Sequence, residues 1–312
     1  MNIVWLIIAL VGLWLGSELV IKGALNISRH YKISELLVGL TILAVGTDLP
    51  ELFINISAAI QKLGGIEPSD LIVGGTIGTS MSQITVMLGI VGLIALIQIS
   101  KRELWRDGIM LIISVMLLFI LGADGMLSRI DAGIMILIYL VYLASILREE
   151  KLKEKFKLAP KLDFFWSFIS LAAGFAVLIY SSNLTVDQAL IISQRWGLTQ
   201  SFVGILIVGV GTSLPELVTA AAAVRKKAGQ LAVGNLIGST IFDLLFALGV
   251  GSAIAGFRFS ESLLRFDMVA LFAACVIVVI LLGTSRRLHR KEAIVLIGMY
   301  VIYFVAKIWS GA

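Results

Sequence analysis

"AVGTDLPEL", residues 44–52, lies within a stretch long and apolar enough to cross a membrane, yet it carries two acids, Asp48 and Glu51, with Pro50 between them. A bilayer penalises each of these. A central Asp costs about 2.5–3.5 kcal/mol to insert, and proline withholds an N–H from the helix. The chain contains this costly stretch twice. "VGLTILAVGTDLPELFINISAA", from Val38, aligns with "VGILIVGVGTSLPELVTAAAAV", from Val203, at an offset of 165 residues. The same offset matches Ser17, Leu19, Ala24, Leu25, Ile27 and Ser28 to Ser182, Leu184, Ala189, Leu190, Ile192 and Ser193. Downstream, "VGGTIGTSMSQITVMLG" aligns with "VGNLIGSTIFDLLFALG" at an offset of 160, the loop "KLGGIEPSD" absorbing the difference. The chain is a duplication.

Composition sets the class. The 312 residues are 59% hydrophobic and 14% charged, with a mean hydropathy of +1.03, whereas soluble domains carry roughly 25% charged residues. Apolar runs of about twenty residues mark ten spans: about 3–27, 35–61, 71–98, 104–122, 129–147, 164–190, 200–223, 231–256, 266–284 and 292–310. The N-terminus lacks a basic n-region and a cleavage site, so it reads as a retained first span. The polar segment "REEKLKEKFKLAP", 148–160, divides the spans five and five. The expected organisation is a first five-helix repeat at 1–147, a cytoplasmic linker at 148–163 and a second repeat at 164–312. The lone Cys275 lies in an apolar run and reads as a packing residue.

Basic residues orient the chain. Of its 25 Lys and Arg, 18 fall in the loops after spans 1, 3, 5, 7 and 9, which the positive-inside rule assigns to the cytoplasm. Both termini are then extracellular, in a multi-pass protein of the cell membrane. The formal charge of +5 follows from these loops and calls for no nucleic-acid partner. Five spans is an odd number, so the second repeat enters the bilayer from the opposite side. The expected fold is an all-α membrane protein of ten transmembrane helices in two inverted-topology repeats. Helices 2, 3, 7 and 8 are expected to be broken around a central ion site, the recurring plan of secondary transporters.

The costly residues supply the chemistry. Pro50 and Pro215 leave the carbonyls of Gly46 and Gly211 without helical partners, and freed carbonyls are ligands for hard cations. Asp48, Glu51, Glu216 and Asp243 all lie in apolar segments with no basic residue near them on those helices, so bound cations or protons must neutralise them. Thr47/Glu51, Thr79/Gln83, Thr212/Glu216 and Ser239/Asp243 are i, i+4 pairs, each on one helix face. Together they make an all-oxygen cage suited to Ca2+ and Na+ rather than softer metals. Gly74/Gly78 and Gly234/Gly238 form small-residue ridges for close helix approach. Ser213–Glu216 reads as a capping box, and Asp48 in the equivalent place reads either as a cap or as an added charge at the site. Glu18 and Lys22, four apart on span 1, read as a neutralising pair. His30 and His289 fall in loops and are not expected to ligate metal.

At these residues the chain resembles the sodium/calcium exchangers of the cation/Ca2+ exchanger superfamily, prokaryotic type. "GTDLPE" and "GTSLPE", followed by "GTIGTSMSQ" and "GNLIGSTIFD", are similar to that family's paired signature repeats. The resemblance implies antiport of Ca2+ against Na+ by alternating access. It places Ca2+ on the Glu51 and Glu216 carboxylates with the Thr47 and Thr212 carbonyls. Sodium would be held around it by Thr79, Ser213, Ser239, Gln83, Asp243 and the backbone near Ala44 and Gly209. Asp48 stands where the family usually has Ser, and Gln83 where it usually has Asn. These two departures leave open a proton-coupled exchanger or one carrying another divalent cation such as Mg2+, and Asp243, in "STIFD", resembles the potassium-dependent branch and leaves K+ coupling open. The implied partners are these cations and the lipid bilayer. The ions are cargo, no cofactor is called for, and a monomer is expected to function.

An intramembrane protease is the reading from another class. It fails because serine types need a buried His, whereas "VGTD" lacks the second glycine of the aspartyl type's G-x-G-D, so no enzyme is expected. Nothing in the chain indicates the continuous pore or subunit-repeated filter of a channel.

Overall fold

A computed structural model describes residues 2–30, 44–98, 100–150, 164–225, 229–285 and 287–310. Most of the expected linker and the first part of the second expected span fall outside these residues. In the first repeat, α1 is Asn2–His30, and a short α2, Ala44–Thr47, is followed across Asp48 by α3, Leu49–Leu63. Helix α4, Ser69–Ser82, continues through a π turn, Gln83–Met87, into α5, Leu88–Ile94. Strand β1 is Ile97–Gln98, α6 Lys101–Leu121, β2 Met126–Leu127 and α7 Arg129–Glu150.

The second repeat follows the same order. Helix α8 is Phe164–Trp196, and α9, Gln200–Val203, runs through a π turn into α10, Gly209–Thr212. Across Ser213 comes α11, Leu214–Arg225; α12, Gly229–Phe242, passes through a π turn, Asp243–Ala247, into α13, Leu248–Ala255. Strand β3 is Phe257–Arg258, a π turn at Leu263–Asp267 opens α14, Met268–Ser285, β4 is Arg287–Leu288, and α15 is Arg290–Ser310. Nine helical stretches among the described residues are long and apolar enough to cross a membrane. They correspond to nine of the ten expected spans; the described part of the other is α2 and α3.

The repeats exchange partners. Ile97 and Gln98 pair antiparallel with Leu288 and Arg287, and Met126 and Leu127 pair with Arg258 and Phe257. Shifting β1 by 160 residues gives β3, and shifting β2 by 161 gives β4, so each pairing maps onto the other. Two units that swap equivalent strands in this way are related by an approximate two-fold.

A further correspondence lies away from the breaks. Tyr142 donates to Asp107 at 2.8 Å, and Tyr303 donates to Asp267 at 2.7 Å, each bond tying the fourth helix of a repeat to the fifth. Asp107 is balanced by the neighbouring Arg106. Asp267 is balanced by Lys307 at 2.7 Å, with both side chains fully buried. Lys307 lies within the last expected span, and the structure makes it the inner half of an ion pair.

Expected packing is met in part. Cys275 is fully buried, and Lys22 pairs with Glu18 at 3.6 Å. A Cβ on Gly74 would come within 2.8 Å of the Ser201 carbonyl, and one on Gly78 would collide with the backbone of Ile205, so this ridge carries a backbone-to-backbone crossing of α4 against the seventh span. Gly234 and Gly238 meet nothing within 4 Å among the described residues. Their repeat-related neighbours would fall within 31–43, outside those residues.

Candidate ion site

The site begins at two helix breaks. Leu52 N–H bonds the Asp48 carbonyl and Leu217 N–H bonds the Ser213 carbonyl, both at 3.2 Å, so each helix restarts one residue after the interruption. Pro50 and Pro215 are the second residues of the new helices, where an absent N–H costs little because first-turn donors have no helical acceptor. Glu51 and Glu216 occupy the first turns, with the positive end of the helix dipole near their carboxylates.

The capping assignment is corrected. Ser213 does not cap α11; its hydroxyl turns back and donates to the Gly209 carbonyl at 2.5 Å. Asp48 makes no side-chain capping bond to α3. Its carboxylate instead lies beside Ser239 and Glu216. Both breaks thus direct side-chain oxygen inward rather than toward their own helix ends.

The third and eighth spans are interrupted differently. Their ladders widen into π turns beginning at Gln83 and Asp243, the equivalent positions at an offset of 160. A π turn inserts an extra residue into the helix and is common at functional sites. Gln83 Nε2 donates to Asp243 Oδ2 at 3.2 Å, and Thr240 Oγ1 donates to Gln83 Oε1 at 2.8 Å. The Thr240 bond fixes the amide with its NH2 toward the acid.

A second cluster converges on one carbonyl. Gly209 O accepts from Thr79 Oγ1 at 3.1 Å and Ser213 Oγ at 2.5 Å, and Thr212 Oγ1, which donates to Val208 O at 3.0 Å, lies 3.3 Å from it. Glycine is required there: a Cβ on Gly209 would lie 2.6 Å from Thr79 N and 2.7 Å from Gly75 O.

The four acids complete the site. Glu51 lies near Thr212 and within electrostatic range of Asp48, while Glu216 interacts with Glu51, Asp48 and Asp243. All four are buried. Asp48 Oδ1, Asp243 Oδ1 and both carboxylate oxygens of Glu51 and Glu216 accept no hydrogen bond. No Lys or Arg forms an ion pair with any of the four among the described residues. Buried carboxylates left unpaired cost several kcal/mol each, so this arrangement is stable only with cations or protons. Among the described residues no three acid, His or Cys side chains are gathered closely enough to hold a metal alone. Carbonyls and hydroxyls must share the coordination, as in hard-cation sites.

The expected residues thus form three adjoining groups: Thr79, Gly209, Thr212 and Ser213; Asp48, Glu51, Glu216 and Ser239; Gln83 and Asp243. Thr47 is buried at the end of α2. Ala44 opens α2, but its side chain falls outside the described residues. Two further residues belong here. Thr240 orients Gln83, and in the sequence it shows only as the 160-offset mate of Ser80. Asn55 donates to the Glu51 carbonyl at 2.9 Å and keeps a buried, unpartnered Oδ1, one turn beyond Glu51. The aromatic rings of Tyr139, Phe242 and Phe246, 5.2–5.5 Å apart, pack beside Asp243.

The model of the family described as sodium/calcium exchanger protein matches residues 1–148 and 166–309. The chain belongs to this family. As a sodium/calcium exchanger family member it is similar to the sodium/calcium exchanger MaX1 of Methanosarcina acetivorans, at 26% identity over 97% of each chain. It is also similar to the inner membrane protein YrbG of Escherichia coli, at 26% identity over 97% of this chain and 96% of YrbG. Among solved structures, the sodium-calcium exchanger NCX_Mj soaked with 2.5 mM Na+ and 0.1 mM Ca2+ superposes with a TM-score of 0.67 at 26% identity, covering 97% of each chain. The match extends across both repeats of this exchanger family member, including both breaks.

Proposed function

We propose that this chain is a secondary active antiporter that exchanges Ca2+ for Na+ across the cell membrane by alternating access. The observation that carries the reading is the set of buried, unpartnered Glu51 and Glu216 oxygens, one from each repeat, in a chain of this family. In this reading Ca2+ binds the two glutamates and the Thr47 and Thr212 carbonyls. Sodium ions bind around them, through Thr79, Ser213 and Gly209 on one side, Asp48, Ser239 and the Ala44 backbone on the other, and Gln83 and Asp243 between.

Coupling then follows from electrostatics. Both cations use Glu51 and Glu216, so they compete rather than bind together. A site emptied of both leaves several carboxylates buried without counter-charge, which raises the barrier to reorientation without cargo. The exchanged repeats support an inverted pair of five-helix units, 1–147 and 164–312, joined by the 148–163 linker. Basic-residue distribution supports extracellular termini. The site lies within one chain, which supports a functional monomer that transports cations without catalysing a reaction.

Ca2+ titration of the detergent-purified protein at several Na+ concentrations tests the shared site. The apparent Kd for Ca2+ should rise steeply with Na+ in the native protein, and Ca2+ binding should vanish in Glu51→Gln and Glu216→Gln. Ca2+ binding indifferent to Na+ would refute competition. A response to K+ or H+ but not to Na+ would mean that Asp48 and Gln83 have redirected the coupling.

A further inference from the structure

The two repeats are alike in fold but not in how their equivalent faces are covered. On α3, Leu49, Phe53 and Ser57 form one face at four-residue spacing, and α8 packs on it. Leu49 is 8% and Ser57 4% exposed, and the Phe53 and Phe175 rings meet at 5.9 Å. At the 165 offset the same face of α11 is Leu214, Val218 and Ala222. Leu214 is 51% and Val218 55% exposed, and Ala222 is exposed as well. The helix that would cover this face by symmetry is α1, which packs along α8 instead.

The covered side is also bonded. Ser57 Oγ donates to Asn183 Oδ1 at 2.5 Å, and Gln61 Nε2 donates to Asp187 Oδ1 at 3.0 Å. The bonds are one turn apart on both helices, so they form a two-rung polar ladder between α3 and α8. The positions equivalent to Asn183 and Asp187 are Glu18 and Lys22 on α1. These pair with each other, with side chains 48% and 67% exposed. The mate of Ser57 is Ala222, which has no side-chain polar group; the mate of Gln61, Lys226, lies outside the described residues. An exposed charged pair inside a membrane span is costly against lipid, so this side of α1 calls for water beside it.

We infer that Ser57, Gln61, Asn183 and Asp187 form an outer gate that holds the ion site closed to the extracellular side, and that the α11 face of Leu214, Val218 and Ala222 lines the cytoplasmic access path. The inference rests on the proposed topology, which places Gln61 outside and Arg225 inside. In inverted repeats the opposite state is reached when each repeat takes the other's arrangement. Opening the gate therefore separates α8 from α3, while α1 comes to cover Leu214, Val218 and Ala222.

The test uses Ser57→Cys/Asn183→Cys, with the buried Cys275 left in place, reconstituted in vesicles beside the native protein. Oxidation should cross-link the pair, lower Na+-driven Ca2+ uptake at least tenfold, and release it fully on reduction. In a separate variant, Ala222→Cys should react with a membrane-impermeant maleimide added from the cytoplasmic side only. Adding Asn183→Ala and Asp187→Ala, at two exposed positions, should lower that labelling as the outward-open state gains population. A cross-linked carrier that still exchanges at the reduced rate would overturn the gate. So would failure of the pair to cross-link, or an Ala222→Cys that labels from neither side. If native protein moves no Ca2+ against Na+, the proposed exchange fails, and the cross-linking and labelling still decide the gate on their own.

Discussion

Gln83 and Asp243 hold equivalent positions in the two repeats, and the amide of the first donates to the carboxylate of the second at 3.2 Å. The duplicated position thus carries a donor in one repeat and an acid in the other, so the centre of the two-fold is chemically asymmetric. Thr240 enforces that asymmetry by bonding Gln83 Oε1 at 2.8 Å. Replacing Gln83 by Leu removes a hydrogen bond to a charged group, worth about 1.5–3 kcal/mol. Apparent cation affinity, read from uptake against Na+ and Ca2+ concentration, should change by roughly tenfold or more. Thr240→Val should change it in the same direction and by less, since the amide keeps its place but loses its fixed orientation.

Asp48 tests how charge is used in the site. Its carboxylate lies beside Ser239 and Glu216, and Asp48→Ser restores the hydroxyl that the second repeat has at Ser213. Coulomb attraction scales with ion charge. A roughly tenfold fall in Na+ affinity per site should therefore accompany a roughly hundredfold fall in Ca2+ affinity, measured by direct binding to the purified variant. Equal losses for the two ions would show that Asp48 acts by shape rather than charge.

Much of this was legible in the sequence, for a physical reason. A carboxylate or proline in an apolar span is expensive, so Asp48, Pro50, Glu51, Pro215, Glu216 and Asp243 stand out against their neighbours, and duplication exposes them twice. The direction of each hydroxyl was not legible. Ser213 fits a capping pattern in one dimension, yet its hydroxyl bonds the Gly209 carbonyl one turn earlier in the same span, a choice between two local acceptor geometries that the pattern does not decide. Thr240 did not stand out because its role exists only through Gln83, which reaches it from the other repeat. The role of Lys307 was not legible because its partner, Asp267, is 40 positions away.

The Lys307–Asp267 pair predicts a stability effect separate from transport. Lys307→Met leaves Asp267 buried without its counter-charge, and breaking such a pair costs about 3–5 kcal/mol. The thermal midpoint of the detergent-solubilised protein should fall clearly. Lys307→Met combined with Asp267→Leu should recover most of the loss, because the second change removes the uncompensated charge. A single variant as stable as the native chain would contradict the buried pairing.

The glycine crossing makes a prediction with its own control. Gly78→Ala places a methyl against the Ile205 backbone, and backbone cannot yield as a flexible side chain can, so the two helices must separate at the site. Gly298→Ala meets nothing within 4 Å and gains helix propensity. Exchange activity should fall strongly in the first variant and stay at the native rate in the second, with both compared at equal reconstituted protein.

The central claim is that Ca2+ moves against Na+ through the paired glutamates. Radiolabelled Ca2+ uptake into proteoliposomes, driven in turn by outward gradients of Na+, K+ and H+, tests it most directly. The account predicts uptake with the Na+ gradient alone, abolished in Glu51→Ala and in Glu216→Ala. Uptake driven only by K+ or H+, no Ca2+ uptake under any gradient, or uptake that survives either glutamate variant would contradict it.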